Sequence, residues 1–430
     1  MTVLSYFFRM TKHMKRIHYV ILVLMAIAMS TLNLDARKKW VGTWATAEQV
    51  VEPHNCPPEP GLGNNSIRQI VQVSIGGDNI RIKFSNEFSK TPVTINAASV
   101  SHALTAGYEP DIEAGSMLNL TFNGKSSVTI KPGELVTCDP VKFHLDPRDN
   151  VAIDIQFGSA SSTDVTGHPG SRTTSYIARG NTTDFTNAVR TDHWYIINAI
   201  EIETKDSKAC AVAVMGDSIT DGRGSTHNMQ NRWTDVLSRK LLADESTKNV
   251  AVLNFGLGGN CVLRGGLGTP VKERYERDLF GQSGVRYIIL FEGVNDLGSR
   301  GDATEKAKDI IKVYKDIIKK AHKNDILVYG ATVAPFKGNG YYSPNHEEGR
   351  QMLNEWILFG GEFDGVIDLA NVVADPSDKE QLDSKYLYEN DWLHPNALGY
   401  NDMGKSIDIK MFNKSVIHNN KNVNPLVGLI

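Results

Sequence analysis

Apolar and polar positions follow two different rhythms along the chain, and the change falls near residue 205. Before it, short runs alternate. Ile67 to Ile75 alternates, Gly76-Gly77-Asp78 supplies a turn, and Ile80, Ile82 and Phe84 alternate back, which predicts a hairpin. Further strands are predicted at Ser116–Phe122, Ser127–Ile130, Val151–Phe157 and Tyr195–Ile202, with Asn-Gly, Pro-Gly and Asp-Pro steps between them. No amphipathic helix of useful length interrupts this stretch. Residues 37–205 therefore read as an all-β sandwich, and the charged segment Glu203–Lys208 reads as a junction.

Past the junction, strand-like runs alternate with helical ones. Ala211–Val214, Val250–Phe255, Arg286–Phe291, Ile326–Val333 and Gly365–Leu369 have the length and apolar content of buried strands. Trp233, Val236, Leu237 and Leu241 recur at helical spacing, as do Ile310, Ile311, Val313, Tyr314, Ile317 and Ile318. A last helix is predicted around Ala397 to Met411. Apolar strands alternating with helices predict a parallel sheet covered on both faces. In such folds ligands bind beyond the carboxyl ends of the strands.

Candidate chemistry stands at those ends. The run Ala211–Met215 stops at Gly216 and delivers Ser218. Arg286–Phe291 runs into Glu292-Gly293-Val294-Asn295-Asp296, and Asp391-Trp392-Leu393-His394-Pro395 lies near the C-terminus. Ester hydrolysis by a serine needs a base, a group that fixes the base's tautomer, and donors aimed at the oxyanion. His394 suits the first role, Asp391 the second and the Asn295 amide the third. Each residue also has a plainer reading. Ser218 can cap a helix, Asn295-Asp296 can cap a turn, and His394 can be a loop histidine bonded to the backbone. Asp217 and Asp221 read as organisers of the turn around Ser218. Trp392 either walls a pocket or packs under the last helix. The polar loop Thr166–Arg172 either reaches the catalytic edge or is a plain surface turn, and is left outside the site.

Together these segments resemble the SGNH, or GDSL-type, hydrolases. Gly216-Asp217-Ser218 matches the first block of that family, Gly293-Val294-Asn295-Asp296 the third, and Asp391-Trp392-Leu393-His394 the last. The glycine block corresponds to Asn254-Phe255-Gly256-Leu257-Gly258-Gly259-Asn260. The resemblance puts the family's oxyanion-hole glycine on Gly259, with Gly258 as the alternative register. It spans roughly residues 209–415 and implies a three-layer, flavodoxin-like α/β domain over 206–418, followed by a tail at 419–430. Gly216–Ser225 with Asn231-Arg232-Trp233 is similar to a secreted bacterial branch of arylesterases and acylhydrolases associated with xylan degradation. The serine lies in Gly-Asp-Ser-Ile-Thr and not in Gly-x-Ser-x-Gly, which argues against the nucleophile elbow of α/β-hydrolases.

At 430 residues the chain has room for two or three domains. A net charge of −3 gives no reason to expect nucleic acid as a partner. At the N-terminus Lys12, His13, Lys15 and Arg16 precede the apolar run Tyr19–Met29 with its Ala26-Ile27-Ala28. That order predicts a secretory signal within 1–36, with Met10 or Met14 as alternative starts. The run falls short of the roughly 20 residues that span a bilayer, so export without stable membrane insertion is expected.

Of the four cysteines, Cys210 and Cys261 should lie at opposite edges of the sheet, while Cys56 with Cys138 stays open. No Cys or His spacing fits a metal site, and no cofactor is implied. Two functions from different classes follow. One is an exported serine esterase acting on a small acyl ester or acylated polysaccharide such as xylan, with aryl or lipid short-chain esters as alternative substrates. The other is a non-catalytic carbohydrate-binding or adhesion protein that uses the β domain.

Overall fold

The computed structural model describes residues 38–413, so the expected secretory segment and the expected tail at 419–430 lie outside the described residues. The chain divides into two compact units. In the smaller one, Lys39 Nζ donates to the Ser207 carbonyl oxygen at 3.0 Å. The larger unit comprises Trp40–Thr204 and the chain from Lys208 onward.

Antiparallel pairing organises the first part of the larger unit. A five-stranded sheet runs in the order Lys39–Ala45, Ile197–Thr204, Gly77–Ser85, Leu135–Thr137, with Val141–Leu145 also on Gly77–Ser85. A seven-stranded sheet is built around Ser66–Gln72, Asn150–Phe157 and Val93–His102. A small third sheet joins Gln49–Val50, Thr166–His168 and Trp194–Tyr195.

The hairpin expected at Gly76-Gly77-Asp78 does not form, because Ser66–Gln72 and Gly77–Ser85 lie in different sheets. The intervening residues bond elsewhere. Val73 N–H donates to the Asp149 carbonyl (3.0 Å), Ser74 N–H to the Thr43 carbonyl (2.8 Å), and Thr43 Oγ1 to the Ile75 carbonyl (2.6 Å). Alternation specifies which face a residue takes, and leaves the neighbouring strand to be chosen by tertiary pairing. Cys56 and Cys138 do not pair with each other: both are thiols, and Cys138 Sγ accepts the Ile82 N–H at 3.1 Å.

The second part is a five-stranded parallel sheet: β1 (Cys210–Gly216), β2 (Val250–Gly256), β3 (Val285–Phe291), β4 (Leu327–Ala331) and β5 (Gly365–Ile367). Its order is β2-β1-β3-β4-β5, the doubly wound flavodoxin-like order. Side chains of β1 alternate between two apolar clusters, as strand geometry requires. Ala211, Ala213 and Met215 join Ile310, Tyr314 and Leu353 on one face, while Val212 and Val214 join Trp233, Leu237 and Tyr400 on the other. The helices responsible are α1 (Ser218–Asp221), α2 (Trp233–Leu242), α3 (Val271–Tyr275), α4 (Val294–Leu297), α5 (Ala303–Lys323), α6 (Pro344–Phe359), α7 (Leu369–Val373) and α8 (Ala397–Ser406). The α8 segment ends earlier than the expected Met411, and a short 3-10 turn at Ile409–Asn413 follows it.

The two parts share one apolar cluster, in which Val41 and Trp44 sit with Leu253 and Phe255. Strand β2 is an edge of the parallel sheet, and an edge leaves backbone groups unpaired. Ser74, from the antiparallel part, covers it: its Oγ donates to the Val252 carbonyl (2.9 Å) and accepts the Val252 N–H (3.0 Å). The register also brings three strand ends level, since Gly216 lies opposite both Gly256 and Phe291. Those ends carry the candidate chemistry.

Candidate active site

Asp217 follows β1 and caps α1, its Oδ1 accepting the Ile219 N–H at 2.8 Å. The expected turn organiser is therefore an N-cap, and the capped turn fixes Ser218 as the first residue of α1. Ser218, His394 and Asn295 are each only 7% exposed, so all three hydrogen-bond in a largely desolvated setting.

Ser218 Oγ lies 2.8 Å from His394 Nε2, and His394 Nδ1 lies 2.6 Å from Asp391 Oδ2. The segment that brings them together closes on itself. Leu387 bridges Pro395, Tyr388 N–H donates to the His394 carbonyl (3.0 Å), and Asn339 Nδ2 donates to the Asp391 carbonyl (2.6 Å). Asp391 Oδ1 accepts the backbone N–H of Leu393 (2.9 Å) and of His394 (2.8 Å). Burial alone would raise the Asp391 carboxyl, but the bonds from the His394 ring and these N–H groups outweigh it and hold it below its ordinary value. An ionised carboxylate only accepts, so Nδ1 must carry the ring proton and Nε2 is left to accept the Ser218 hydroxyl. Trp392 packs over Gly338.

Asn295 lies in α4, just beyond β3. Its amide is held at both ends: Nδ2 donates to the Asn260 carbonyl (2.7 Å), and Oδ1 accepts the Tyr341 hydroxyl (3.0 Å). One Nδ2 hydrogen is left over. Gly259 has φ +67°, a left-handed conformation that strains any side chain, and Gly258 lies beside it; both line the same cleft. Beneath them Arg274, fully buried, ties the strand ends together. Its Nε donates to Asn260 Oδ1 (3.0 Å), its Nη1 to the Phe255 carbonyl (3.0 Å) and its Nη2 to the Gly216 carbonyl (3.2 Å).

Acidic groups surround that guanidinium. Asp278 pairs with it at 2.8 Å. Burial pushes the Asp217 carboxyl up to about 7 and Asp296 up to about 6. Burial raises Glu292 well above its ordinary value, and neither of its carboxyl oxygens has a hydrogen-bond partner. Arg274 Nη2 lies 3.8 Å from Glu292 Oε2.

The structure brings Ser218, Gly259, Asn295 and His394 to the wall of one cleft of about 580 Å³, with Asp391 behind His394. Much of the remaining wall comes from the antiparallel part of the chain, including Gln49, Glu52, His54, Asn55, Asp192 and His193. The loop Thr166–Arg172, left outside the expected site, is part of this arrangement. His168 Nε2 lies 2.8 Å from Asp221 Oδ1, and Arg172 Nη2 donates to Asp221 Oδ2 at 2.5 Å. Gly170 comes so close to Asp221 that a Cβ there would lie 2.1 Å from Oδ2. Burial would raise the Asp221 carboxyl, but the Arg172 and His168 partners hold it below its ordinary value.

Sequence reasoning missed Tyr341, Arg274 and this wall. Tyr341 lies in a loop without a motif. Arg274 resembles any helical arginine until the ends of β1 and β2 converge on it. Among the described residues, no group of three His, Cys, Asp or Glu side chains could hold a metal ion.

Residues 214–401 match the model of the GDSL-like Lipase/Acylhydrolase family. That span contains Ser218, Gly259, Asn295, Asp391 and His394. No curated protein matches the chain. The chain is similar to the solved structure of a member of the lipolytic protein G-D-S-L family from Veillonella parvula, with 19% identity over 46% of this chain and 96% of that one, and a TM-score of 0.35. It is also similar to a carbohydrate acetylesterase family member from Sinorhizobium meliloti, with 16% identity over 47% and 99% of the two chains and a TM-score of 0.37. An acetyl xylan esterase gives 20% identity over 46% and 96%, with a TM-score of 0.33.

Proposed function

Residues 214–401 form a GDSL-like lipase/acylhydrolase domain, and on that premise we propose that the protein is an exported serine esterase that removes short acyl groups, acetyl foremost, from polysaccharide. The family implies ester hydrolysis. The observation that carries the finer reading is the unbroken contact chain from Asp391 through His394 to Ser218 at the cleft wall.

In the proposed mechanism His394 Nε2 takes the Ser218 proton as Oγ attacks the ester carbonyl carbon. The carbonyl oxygen becomes an oxyanion met by the Ser218 and Gly259 N–H groups and the remaining Asn295 amide hydrogen. The C–O bond to the alcohol then breaks, and the proton on His394 passes to the leaving oxygen. Water, giving a proton to the same ring, attacks the acyl-enzyme, and return of that proton to Ser218 Oγ releases the acid. Asp391 stays ionised throughout and orients the ring.

The cleft wall supports a sugar alcohol over a lipid. Gln49, Glu52, His54, Asn55 and Asp192 offer donors and acceptors suited to hydroxyls, and Leu257 and Leu267 offer limited apolar surface for a short acyl chain. The same reading divides the chain into a leader within 1–36, a β-sandwich accessory domain at 37–205 and the hydrolase domain at 206–418. Among the described residues no helix is long and apolar enough to cross a membrane. The lysine- and arginine-flanked apolar run Tyr19–Met29 supports export.

The test compares wild type with Ser218→Ala on p-nitrophenyl acetate and on acetylated xylan. Turnover of both should fall on the order of 10⁴-fold or more in the variant. Equal hydrolysis by the two proteins would sink the serine assignment. Wild-type cleavage of the small ester but not the polymer would leave an esterase and remove the polysaccharide.

A further inference from the structure

The segment that supplies Asp391 and His394 carries backbone strain. Glu389 (φ +51°), Asn390 (φ +54°) and Trp392 (φ +57°) take left-handed conformations, which asparagine tolerates and glutamate and tryptophan rarely adopt. Such residues persist only where surrounding contacts over-determine them. Two of those contacts come from the loop between β4 and α6. Asn339 Nδ2 donates to the Asp391 carbonyl at 2.6 Å. The Trp392 ring lies so close to Gly338 that a Cβ there would fall 2.7 Å from Trp392 Cγ.

The same loop reaches the oxyanion side. The Tyr341 hydroxyl donates to Asn295 Oδ1 at 3.0 Å, and the Tyr341 ring lies so close to Gly298 that a Cβ there would collide with it. Gly298 ends α4, the helix that carries Asn295. Asn339 joins the two ends of the loop. While its Nδ2 holds Asp391, its Oδ1 accepts the Tyr341 N–H at 2.9 Å. One amide thus faces the acid–base pair on one side and, on the other, the residue that holds Asn295. The loop is itself anchored. Asn339 N–H donates to the carbonyl of fully buried Phe336 (3.1 Å), and His346 Nδ1, in the first turn of α6, lies 2.6 Å from the Tyr341 carbonyl. Residues 338–341 lie outside all four sequence blocks of the site.

An activated hydroxyl and an oxyanion donor act together only when both are aimed at the same carbonyl group. A shift of about 1 Å in either costs on the order of 100-fold. We propose that Asn339 is a positioning residue of the hydrolysis: through the brace 338–341 it holds the Asp391–His394 pair and the Asn295 amide in fixed relation. Asn339 does not line the cleft, and it acts through Asp391 and Tyr341. The kinetic half of the proposal rests on the esterase reading above. The mechanical coupling stands alone and is measured separately.

The experiment uses the full chain with Asn339→Ala, Tyr341→Phe and the double variant. Asn339→Ser takes the place of an alanine variant that does not fold, because its hydroxyl still accepts the Tyr341 N–H but is too short for the Asp391 carbonyl. Hydrogen exchange read by mass spectrometry reports the brace without catalysis. In Asn339→Ala, peptides covering residues 385–396 and 293–299 should both exchange faster, by about tenfold. Faster exchange in one of them alone, or in neither, overturns the proposal. On p-nitrophenyl acetate, Asn339→Ala and Tyr341→Phe should each lower kcat about tenfold with KM little changed. Because both act on one unit, the double variant should lose about twentyfold. A loss of about a hundredfold, the product of two independent effects, overturns the proposal, as does an unchanged kcat in Asn339→Ala. If exchange responds as expected but wild type cleaves no ester, the esterase reading fails and the brace stands.

Discussion

The parallel and antiparallel parts of the molecule build one cleft by different means. The parallel part places Ser218, Gly259 and Asn295 just past the ends of three level strands, each fixed by a few residues of local sequence. The antiparallel part adds Gln49, His54, Asp192 and His193 to the cleft wall from segments that meet only in three dimensions. Reacting groups need short, rigid supports, which a strand end and a capped turn provide. A recognition wall needs area, and area comes from packing one sheet system against another. Asp221 joins the two: it ends the helix that begins with Ser218, and it holds His168 and Arg172 from the other part.

That division predicts unequal consequences of substitution. Asn295→Ala, on the parallel side, should lower kcat on p-nitrophenyl acetate by roughly 100- to 1000-fold with KM little changed, because it removes an oxyanion donor. Tyr341→Phe keeps the donor but frees the amide to turn, so its loss should be smaller, about tenfold, and again in kcat. Steady-state kinetics of the two variants decides this. A rise in KM without loss of kcat would assign Asn295 to ground-state binding.

At the join, Asp221→Asn should act on stability before chemistry. It leaves Arg172 without its counter-charge, and because Arg172 is 28% exposed the cost should be about 2 kcal/mol, below that of a fully buried pair. Urea unfolding measures it. A variant as stable as wild type would mean that the two parts are held by apolar packing alone.

A last effect, in pH dependence, lies beside the antiparallel wall. Glu48, beside Gln49, is buried, and desolvation lifts its carboxyl to about 8. Asn198 Nδ2 donates to one of its oxygens (2.9 Å), and the other has no partner. The folded chain therefore keeps this proton while the unfolded chain releases it near 4.5, so this group's contribution to stability is full below that value and is lost as pH rises towards about 8. Glu48→Gln removes the dependence. Its Tm relative to wild type should climb between pH 5 and pH 8 on the linkage argument. Parallel Tm curves across that window would show that Glu48 is ionised in the fold.

The same division explains what could be read from the chain. Strand–helix alternation marks the parallel sheet because each strand is a continuous apolar run. Ser218, Asn295 and the Asp391–His394 pair stand out because each follows a strand or precedes a helix at short range. The hairpin at Gly76-Gly77-Asp78 misled because alternation carries no information about the partner strand, and Thr43 and Asp149 bind the turn's neighbours instead. The polar loop Thr166–Arg172 left two readings open, since its partner is Asp221, which follows it by about fifty positions.

The central claim is that Ser218 is the nucleophile and that His394 activates it. Reaction with a fluorophosphonate, followed by peptide mass mapping, tests it most directly. The account predicts one phosphonyl group per chain, carried on Ser218, with loss of esterase activity in step with labelling and with no labelling of the His394→Ala variant. Full esterase activity in protein that carries no adduct on Ser218 would contradict it.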